Sequence, residues 1–342
     1  MITVDKKRLV ASSMSYTHLF DAYSFFRQLI INSVAAIIEY HRICPMENLI
    51  GDPTLVLTPE VLEKQMRYFS TNFQILSMDE LFEFIRLKKR PPRRAAVITI
   101  DDGYRDIFVH AYPILERYKI PATIFLVSGY VDSNKPYWWD RVSHAIYQST
   151  SPQLNVEGIG KYWIRDLSEK SVANKIVITA IRESPEDRRN GLIAKVLDEC
   201  KINFDDFGGR LQLSWNEIKE MHKNGLKFGS HSVSHPRLTD ISLERATAEI
   251  VESKQAIEEN LDEEVTTISY PYGDYDAKIL DIVREAGFKG GVTAFTPYRT
   301  IGFEDNVLCL PRIPAVKDLN EMKGMLCGLV GDIQTYVTKG PI

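Results

Sequence analysis

Cysteine, long apolar runs and clustered charge of one sign are all scarce in this chain of 342 residues. The four cysteines, Cys44, Cys200, Cys309 and Cys327, are scattered with no CxxC spacing. That argues against a disulfide framework and for free thiols in a reducing compartment. The most apolar stretch, Leu29 to Ile38, runs for about ten residues and contains Asn32 and Ser33, too little to span a bilayer. It reads as a helix end feeding a buried strand. Lys6, Lys7 and Arg8 are followed by no apolar core of signal-peptide length before Ser12, Ser13, His18 and Asp21, so a cytoplasmic location is expected. The 46 acidic and 42 basic residues are spread along the chain, and no basic run is long enough to follow a phosphate backbone. Nucleic acid is therefore not an expected partner. There is no internal repeat and no low-complexity segment.

What is present is an ordinary globular composition, 44% hydrophobic and 26% charged, with enough apolar residues for a large core. The length fits two domains, or one α/β unit with an insertion. Short β-rich apolar runs recur at Val34–Glu39, Phe73–Leu76, Ala95–Ile100, Ala122–Val127, Leu226–Gly229, Thr266–Tyr270, Gly291–Val292 and Leu308–Pro311. Helical spacing separates most of them, at Pro59–Thr71 behind a Thr58 cap, Met78–Leu87, Asp106–Tyr118 and Ser242–Leu261. Repeated βα alternation predicts a parallel sheet in an α/β fold. Between Gly129 and Leu213 the rhythm breaks into Trp138-Trp139-Asp140, an irregular polar stretch and a helix from Pro185 to about Cys200. We read residues 130–213 as an insertion that leaves a strand end and lies over the mouth of the sheet. Residues 1–33 and 319–342 read as extensions with helical character, flanking a barrel domain at 34–318.

Two motifs carry chemistry. The run Ala95–Ile100 is uncharged and β-branched, as a strand buried on both faces should be, and it ends in Asp101-Asp102-Gly103. Carboxylates at the carboxyl end of a parallel strand sit where active sites form. Successive strand side chains point to opposite faces, so both can face one mouth only if the backbone turns, which Gly103 permits. The second motif, His231-Ser232-Val233-Ser234-His235, follows another predicted strand, with Pro236 keeping His235 out of the helical region. Two imidazoles and one carboxylate leave coordination positions open, as a catalytic metal site requires.

These residues resemble the polysaccharide deacetylases with a NodB-homology domain, carbohydrate esterase family 4. That family carries Thr-Phe-Asp-Asp-Gly, matched by Thr99-Ile100-Asp101-Asp102-Gly103, and His-Ser/Thr-x-x-His, matched by His231 and His235. A third motif, Arg-x-Pro-Tyr, is partly matched by Ser269-Tyr270-Pro271-Tyr272. The resemblance spans about Val34 to Pro314. The Tyr40-His41-Arg42 start and Tyr270-Pro271-Tyr272-Gly273 are closest to the branch that deacetylates bacterial exopolysaccharide, including poly-β-1,6-N-acetylglucosamine.

The resemblance implies an α/β fold, a distorted (β/α) barrel of about seven parallel strands. It implies a metal-dependent hydrolase that removes N-acetyl groups from N-acetylated sugar units. Asp102, His231 and His235 would bind a divalent ion, commonly zinc, with nickel, cobalt or ferrous iron as alternatives. Asp101 would be the base, and the backbone N–H of Tyr272 would stabilise the oxyanion. Tyr40, Trp215, Tyr270, Pro271 and Arg312 are candidate substrate contacts.

Two departures stand out. Ser269 replaces the family arginine that pairs with the base, and Arg312 at a late strand end is the candidate substitute. No histidine follows His235 to serve as the family's acid, and His41, directly after the first strand, is the candidate in its place. Hydrolysis of a non-sugar amide and a non-catalytic glycan-binding role remain open readings, as do the oligomeric state and the exact glycan.

Overall fold

A computed structural model describes residues 33–49, 51–92, 94–202, 210–294 and 299–326. The described residues fall into two compact units. One comprises residues up to 43, 57–131 and from 213 onward; the other comprises 44–56 and 132–212.

The first unit is built on a parallel sheet. Its strands are β1 (Ser33–Tyr40), β2 (Ala95–Ile100), β3 (Ala122–Leu126), β4 (Lys227–Ser230), β5 (Thr267–Ser269), β6 (Gly290–Thr293), β7 (Leu310–Pro311) and β8 (Ile313–Pro314). They lie side by side in chain order from β1 to β7, and β8 pairs parallel with β1. The two halves of the passage 310–314 thus bond to opposite ends of the sheet, which comes round on itself as a nearly closed barrel of seven parallel positions. Gln74–Ile75 adds to β2 in parallel, and Ile301–Gly302 adds to β1 antiparallel.

Alternation along the strands sorts the core. Ala36, Ile38, Tyr40, Ala96, Ile98, Ile100, Ile124 and Leu126 pack with the surrounding helices. Their neighbours Ala35, Ile37, Ala95, Val97, Phe125, Val292 and Leu310 form a second cluster on the other strand face. Each fully buried Ile, Leu or Val side chain among them contributes about 1.5–3 kcal/mol of transfer free energy. On that second face the apolar positions give way to polar ones towards the carboxyl ends: Glu39 follows Ile37, and Thr99 and Asp101 follow Val97. Room for Phe125 comes from Gly229, where a Cβ would meet the ring at 2.6 Å and Thr267 O at 2.8 Å.

The helix Pro59–Asn72 starts after Thr58, whose side chain makes no backbone capping bond. Ser77 and Ser214, by contrast, both form full capping boxes with Glu80 and Glu217. The helix expected over Asp106–Tyr118 is two pieces, a π-helical turn at Ile107–Ala111 and an α-helix at Tyr112–Tyr118. Pro113 has no N–H to continue an i→i−4 ladder, and Tyr112 N–H instead closes a wide turn on Ile107 O.

The second unit is more regular than its sequence suggests. It holds the helices Trp138–Gln148, Leu167–Glu183 and Glu186–Cys200 and a hairpin of Gln153–Val156 with Gly160–Trp163. Val142, Ile146, Leu154, Ala173, Val177 and Ile181 belong to its own core. The expectation of an irregular stretch failed at Leu167–Glu183 because exposed Leu167, Val172 and Ile176 blur that helix's apolar period.

Of the extensions, Ser33 already belongs to β1, and residues 1–32 lie outside the described residues. Leu319–Leu326 is a helix whose Met322, Met325 and Leu326 join the main core, and 327–342 lie outside the described residues. Among the described residues Cys44, Cys200 and Cys309 are in no disulfide, and Cys327 lies outside the described residues. No helix among the described residues is long and apolar enough to cross a membrane.

Candidate metal centre

The aspartate pair is shaped by two consecutive left-handed residues. Asp101 N–H still donates to Tyr40 O at 2.9 Å, extending the ladder between β1 and β2. Asp102 then takes φ +73° and Gly103 φ +69°. Aspartate tolerates this region better than most residues, and glycine adopts it without a Cβ penalty. The turn brings both carboxylates to one centre. Asp102 Oδ1 lies 3.6 Å and Asp101 Oδ2 3.9 Å from His231 Nε2.

The histidine loop is built to hold its two rings still. His231 N–H donates to Leu126 O at 2.8 Å, and His231 Nδ1 contacts Ser269 O at 2.7 Å, leaving Nε2 towards the carboxylates. Ser232 and His235 both have positive φ, +65° and +58°. His235 is thus outside the right-handed helical region, as Pro236 requires, and lies in the left-handed one. Its N–H donates to Ser232 Oγ at 2.9 Å, which fixes that turn. Ser128 and Gly129 N–H groups donate to Ser232 O and Val233 O.

Glu249, 7% exposed on the helix Leu243–Leu261, accepts from Val233 N–H at 2.9 Å, Ser234 N–H at 2.8 Å and Ser234 Oγ. Its removal is expected to loosen both histidines together. Glu249→Ala should weaken divalent-ion binding by about 10–100-fold, the usual effect of losing an outer-shell partner. Competition titration of the metal-free protein measures this, and unchanged affinity would count against the clamp.

Asp102, His231 and His235 are all buried, and one ligand atom from each lies within 4.8 Å of the others. His235 Nε2 is 3.8 Å from Asp102 Oδ1. Two ligand atoms bound tetrahedrally at about 2.1 Å stand about 3.4 Å apart, so the observed spacings suit a shared ion after small shifts. Burial pushes both imidazoles down from their ordinary pKa, His235 furthest, with His231 adding to its shift. The neutral ring is the ligand form. The residues fit a divalent ion of the borderline type that takes nitrogen and oxygen together.

Asp101 has a different environment. Arg312 grips it with both terminal nitrogens, Nη1 on Oδ1 at 2.7 Å and Nη2 on Oδ2 at 2.6 Å, and Ser269 Oγ donates to Oδ2 at 3.0 Å. Burial alone would raise this carboxyl, yet the guanidinium holds it well below the usual carboxylate range. Both oxygens of Asp101 are thereby engaged, whereas Asp102 faces the imidazoles. Half-buried His41 stands near Glu39 and Asp101, with ligand-type atoms of the three within 4.8 Å. Burial pushes the His41 imidazole down, but Glu39, Asp102 and Asp101 outweigh it and the net shift is upward.

The candidate substrate contacts fare unevenly. Tyr40 is 1% exposed, and its hydroxyl donates to Gln65 Oε1 at 2.7 Å. Tyr270 is 0% exposed and donates to Leu308 O at 2.7 Å. Both belong to the main core, so as sugar platforms they are corrected: each ring faces protein, and each hydroxyl is used inside. Pro271 is buried beside Tyr270. Arg312, 0% exposed, holds Asp101 and has no surface to offer a sugar. Trp215 opens the helix Trp215–Lys223 and is partly buried against the core. Tyr272 is half-buried with φ +61°, its ring edge-on to His235 at 4.7 Å and under the Arg237 guanidinium at 5.2 Å.

Sequence reading missed Glu39 and Glu249. Glu39 did carry a signal: in Ala35-x-Ile37-x-Glu39-x-His41 the alternate face of β1 turns from apolar to charged two residues before its end. Glu249 carried none, since it is one of several acidic residues along an amphipathic helix.

Comparison with known proteins places this geometry in context. The family model described as polysaccharide deacetylase matches residues 88–291, more than half of the chain. The Bacillus subtilis protein YxkH is 22% identical over 232 residues, covering 68% of this chain and 56% of that protein. The Staphylococcus aureus poly-beta-1,6-N-acetyl-D-glucosamine N-deacetylase (strain MSSA476) is 23% identical over 265 residues, covering 73% and 64%. The chain therefore spans less than two thirds of the length of these curated relatives. Among solved structures, the Streptococcus pyogenes deacetylase PplD in complex with acetate aligns with a TM-score of 0.58 at 20% identity, over 85% of this chain and 96% of that one. IcaB from Ammonifex degensii aligns at 0.56 and 14% identity, over 88% and 98%. At such identities these likenesses concern the fold. Glu39, His41 and Arg312 all lie outside residues 88–291, the segment matched by the family model.

Proposed function

The chain belongs to the polysaccharide deacetylase family, and from that premise we propose that it is a metal-dependent N-deacetylase acting on N-acetylated glycan units. The observation that carries the reading is the division of labour between adjacent aspartates. Asp101 is locked by Arg312 beside a cluster of Asp102, His231 and His235 that fits a divalent ion. A protein that only bound glycans would have no need of a buried, ionised base next to such a cluster.

A divalent ion held there, zinc in our reading, would polarise the acetamide carbonyl and lower the pKa of a water. Asp101 accepts the proton of the attacking water, whose oxygen bonds to the carbonyl carbon. Arg312 keeps Asp101 ionised and oriented for that step. The backbone N–H of Tyr272 donates to the oxyanion as charge develops. Collapse breaks the C–N bond, and protonated His41 delivers a proton to the leaving amine, so acetate and a free amino sugar result. His41 suits this role because its ring stands beside the base, with ligand-type atoms of His41 and Asp101 within 4.8 Å of each other.

The substrate class follows from the relatives' N-acetylated polysaccharide, and we extend it to this chain as a β-linked N-acetylglucosamine polymer or oligomer. The test is acetate release from a panel of N-acetylglucosamine oligomers and simple amides, with and without chelator, alongside a His41→Ala variant. Release that depends on added ion, prefers the sugars and falls about 10²–10⁴-fold in the variant is expected. Release insensitive to chelator, or faster on the simple amides, would overturn the proposal. A His41→Ala enzyme of near-normal turnover across pH would remove His41 from the mechanism.

A further inference from the structure

Asp101 does not hold Arg312 alone. The guanidinium lies between two buried carboxylates, and its Nη2 donates at 2.6 Å to both Asp101 Oδ2 and Glu39 Oε1. Nη1 donates to Asp101 Oδ1 and, at 3.2 Å, to Thr99 Oγ1, and Nε donates to Thr293 O at 3.2 Å. Every nitrogen of the rigid fork is thus engaged. Nη2 also donates to Ser269 Oγ at 3.0 Å, and that hydroxyl in turn donates to Asp101 Oδ2, so without Glu39 every remaining partner of Nη2 lies on the Asp101 side.

Glu39 also grips the segment that carries the arginine. Arg312 sits at the break between β7 and β8, where the chain switches partner from β6 to β1. Glu39 is in register with Pro314 there, and its carbonyl accepts from Ala315 N–H at 2.8 Å. It therefore fixes Arg312 by backbone and side chain together. The group Glu39, His41 and Asp101 has metal-like spacing, but the guanidinium already pairs with both carboxylates and its charge opposes a second cation there.

We propose that Glu39 is a positioning residue for the base: it holds the Arg312 guanidinium in the orientation that presents both Nη groups to Asp101. This rests on Asp101 being the base of the deacetylation. The site uses one more buried carboxylate than the base–arginine pair itself requires, and that carboxylate does not touch the reacting atoms.

The test compares Glu39→Ala and Glu39→Gln with the wild-type holoenzyme in acetate release from N-acetylglucosamine oligomers, with bound metal measured in each. Glu39→Ala should lower kcat by roughly 10–100-fold, the effect of a base displaced by about 1 Å, with KM and metal content nearly unchanged. Glu39→Gln keeps an acceptor oxygen for Nη2 and should regain most of the turnover. Crystal structures of wild type and Glu39→Ala should show Arg312 rotated off Asp101 in the variant only. Normal turnover in Glu39→Ala, no recovery in Glu39→Gln, or loss of metal along with turnover overturns the proposal. Should the wild-type holoenzyme itself release no acetate, the deacetylase reading fails. The crystal structures still decide the positioning claim, and an unmoved Arg312 in Glu39→Ala sinks it.

Discussion

Replacing Asp101 with Asn is expected to lower turnover by about 10²–10⁴-fold, the range that a positioned general base contributes, while the protein keeps its divalent ion. The two effects separate because the carboxylates are engaged differently. Asp102 faces His231 and His235, whereas both oxygens of Asp101 point into the Arg312 fork. Asparagine is nearly isosteric, retains one acceptor for Arg312 and cannot take a proton from water at neutral pH. Steady-state kinetics with parallel metal analysis checks both halves. Turnover within a few-fold of wild type would sink the base assignment, and loss of the ion would mean that Asp101 is a ligand after all.

Arg312→Ala should be the most destabilising single change among the site residues, costing about 3–5 kcal/mol, as expected when one partner of a buried ion pair is removed. Asp101 and Glu39 would then share a desolvated site without the guanidinium that pairs with both. Burial already pushes Glu39 above its ordinary pKa despite Arg312. Without the guanidinium, both carboxyls would shift upward, and the base would lose its charge as well as its orientation. Denaturant unfolding of Arg312→Ala beside the double variant Arg312→Met/Glu39→Gln separates lost pairing from lost packing. The double variant, with one charge fewer to bury, should recover a large part of the stability. A cost below about 1 kcal/mol for Arg312→Ala would place the cluster among weak surface pairs.

Stability and catalysis at this site share a cause. A bidentate arginine in a dry site keeps its partner carboxylate ionised and fixed, which is what a base needs at neutral pH. The same dryness makes the pair expensive to break.

Local sequence was enough for the strand Ala95–Ile100, because six consecutive uncharged residues with no turn former admit little else. It was enough for a parallel sheet in an α/β fold, since strands alternating with helices read as βα units. That Asp102, His231 and His235 come together was legible for a related reason: two short motifs at strand ends carried all three residues, and parallel strands bring their carboxyl ends together. The helix Pro185 to about Cys200 was legible, whereas Leu167–Glu183 was obscured by exposed apolar residues, and the π-helical turn by a proline that still allowed helical spacing around it. Tyr40 and Tyr270 looked like candidates because aromatic residues beside a motif suit both core and surface, and nothing in a local pattern tells which way a ring will face.

What the sequence by itself determined is the chemistry on offer: two carboxylates and two imidazoles, placed where parallel strands end. What only the tertiary structure decided is what holds Asp101: the fork of Arg312, with Glu39 on its other side. Arg312 lies 211 residues from Asp101 and 273 from Glu39, and meets them because the chain changes strand partner at that residue as the barrel closes. No periodicity encodes such a contact, since it arises from closure of the whole sheet and not from the propensity of any segment in it.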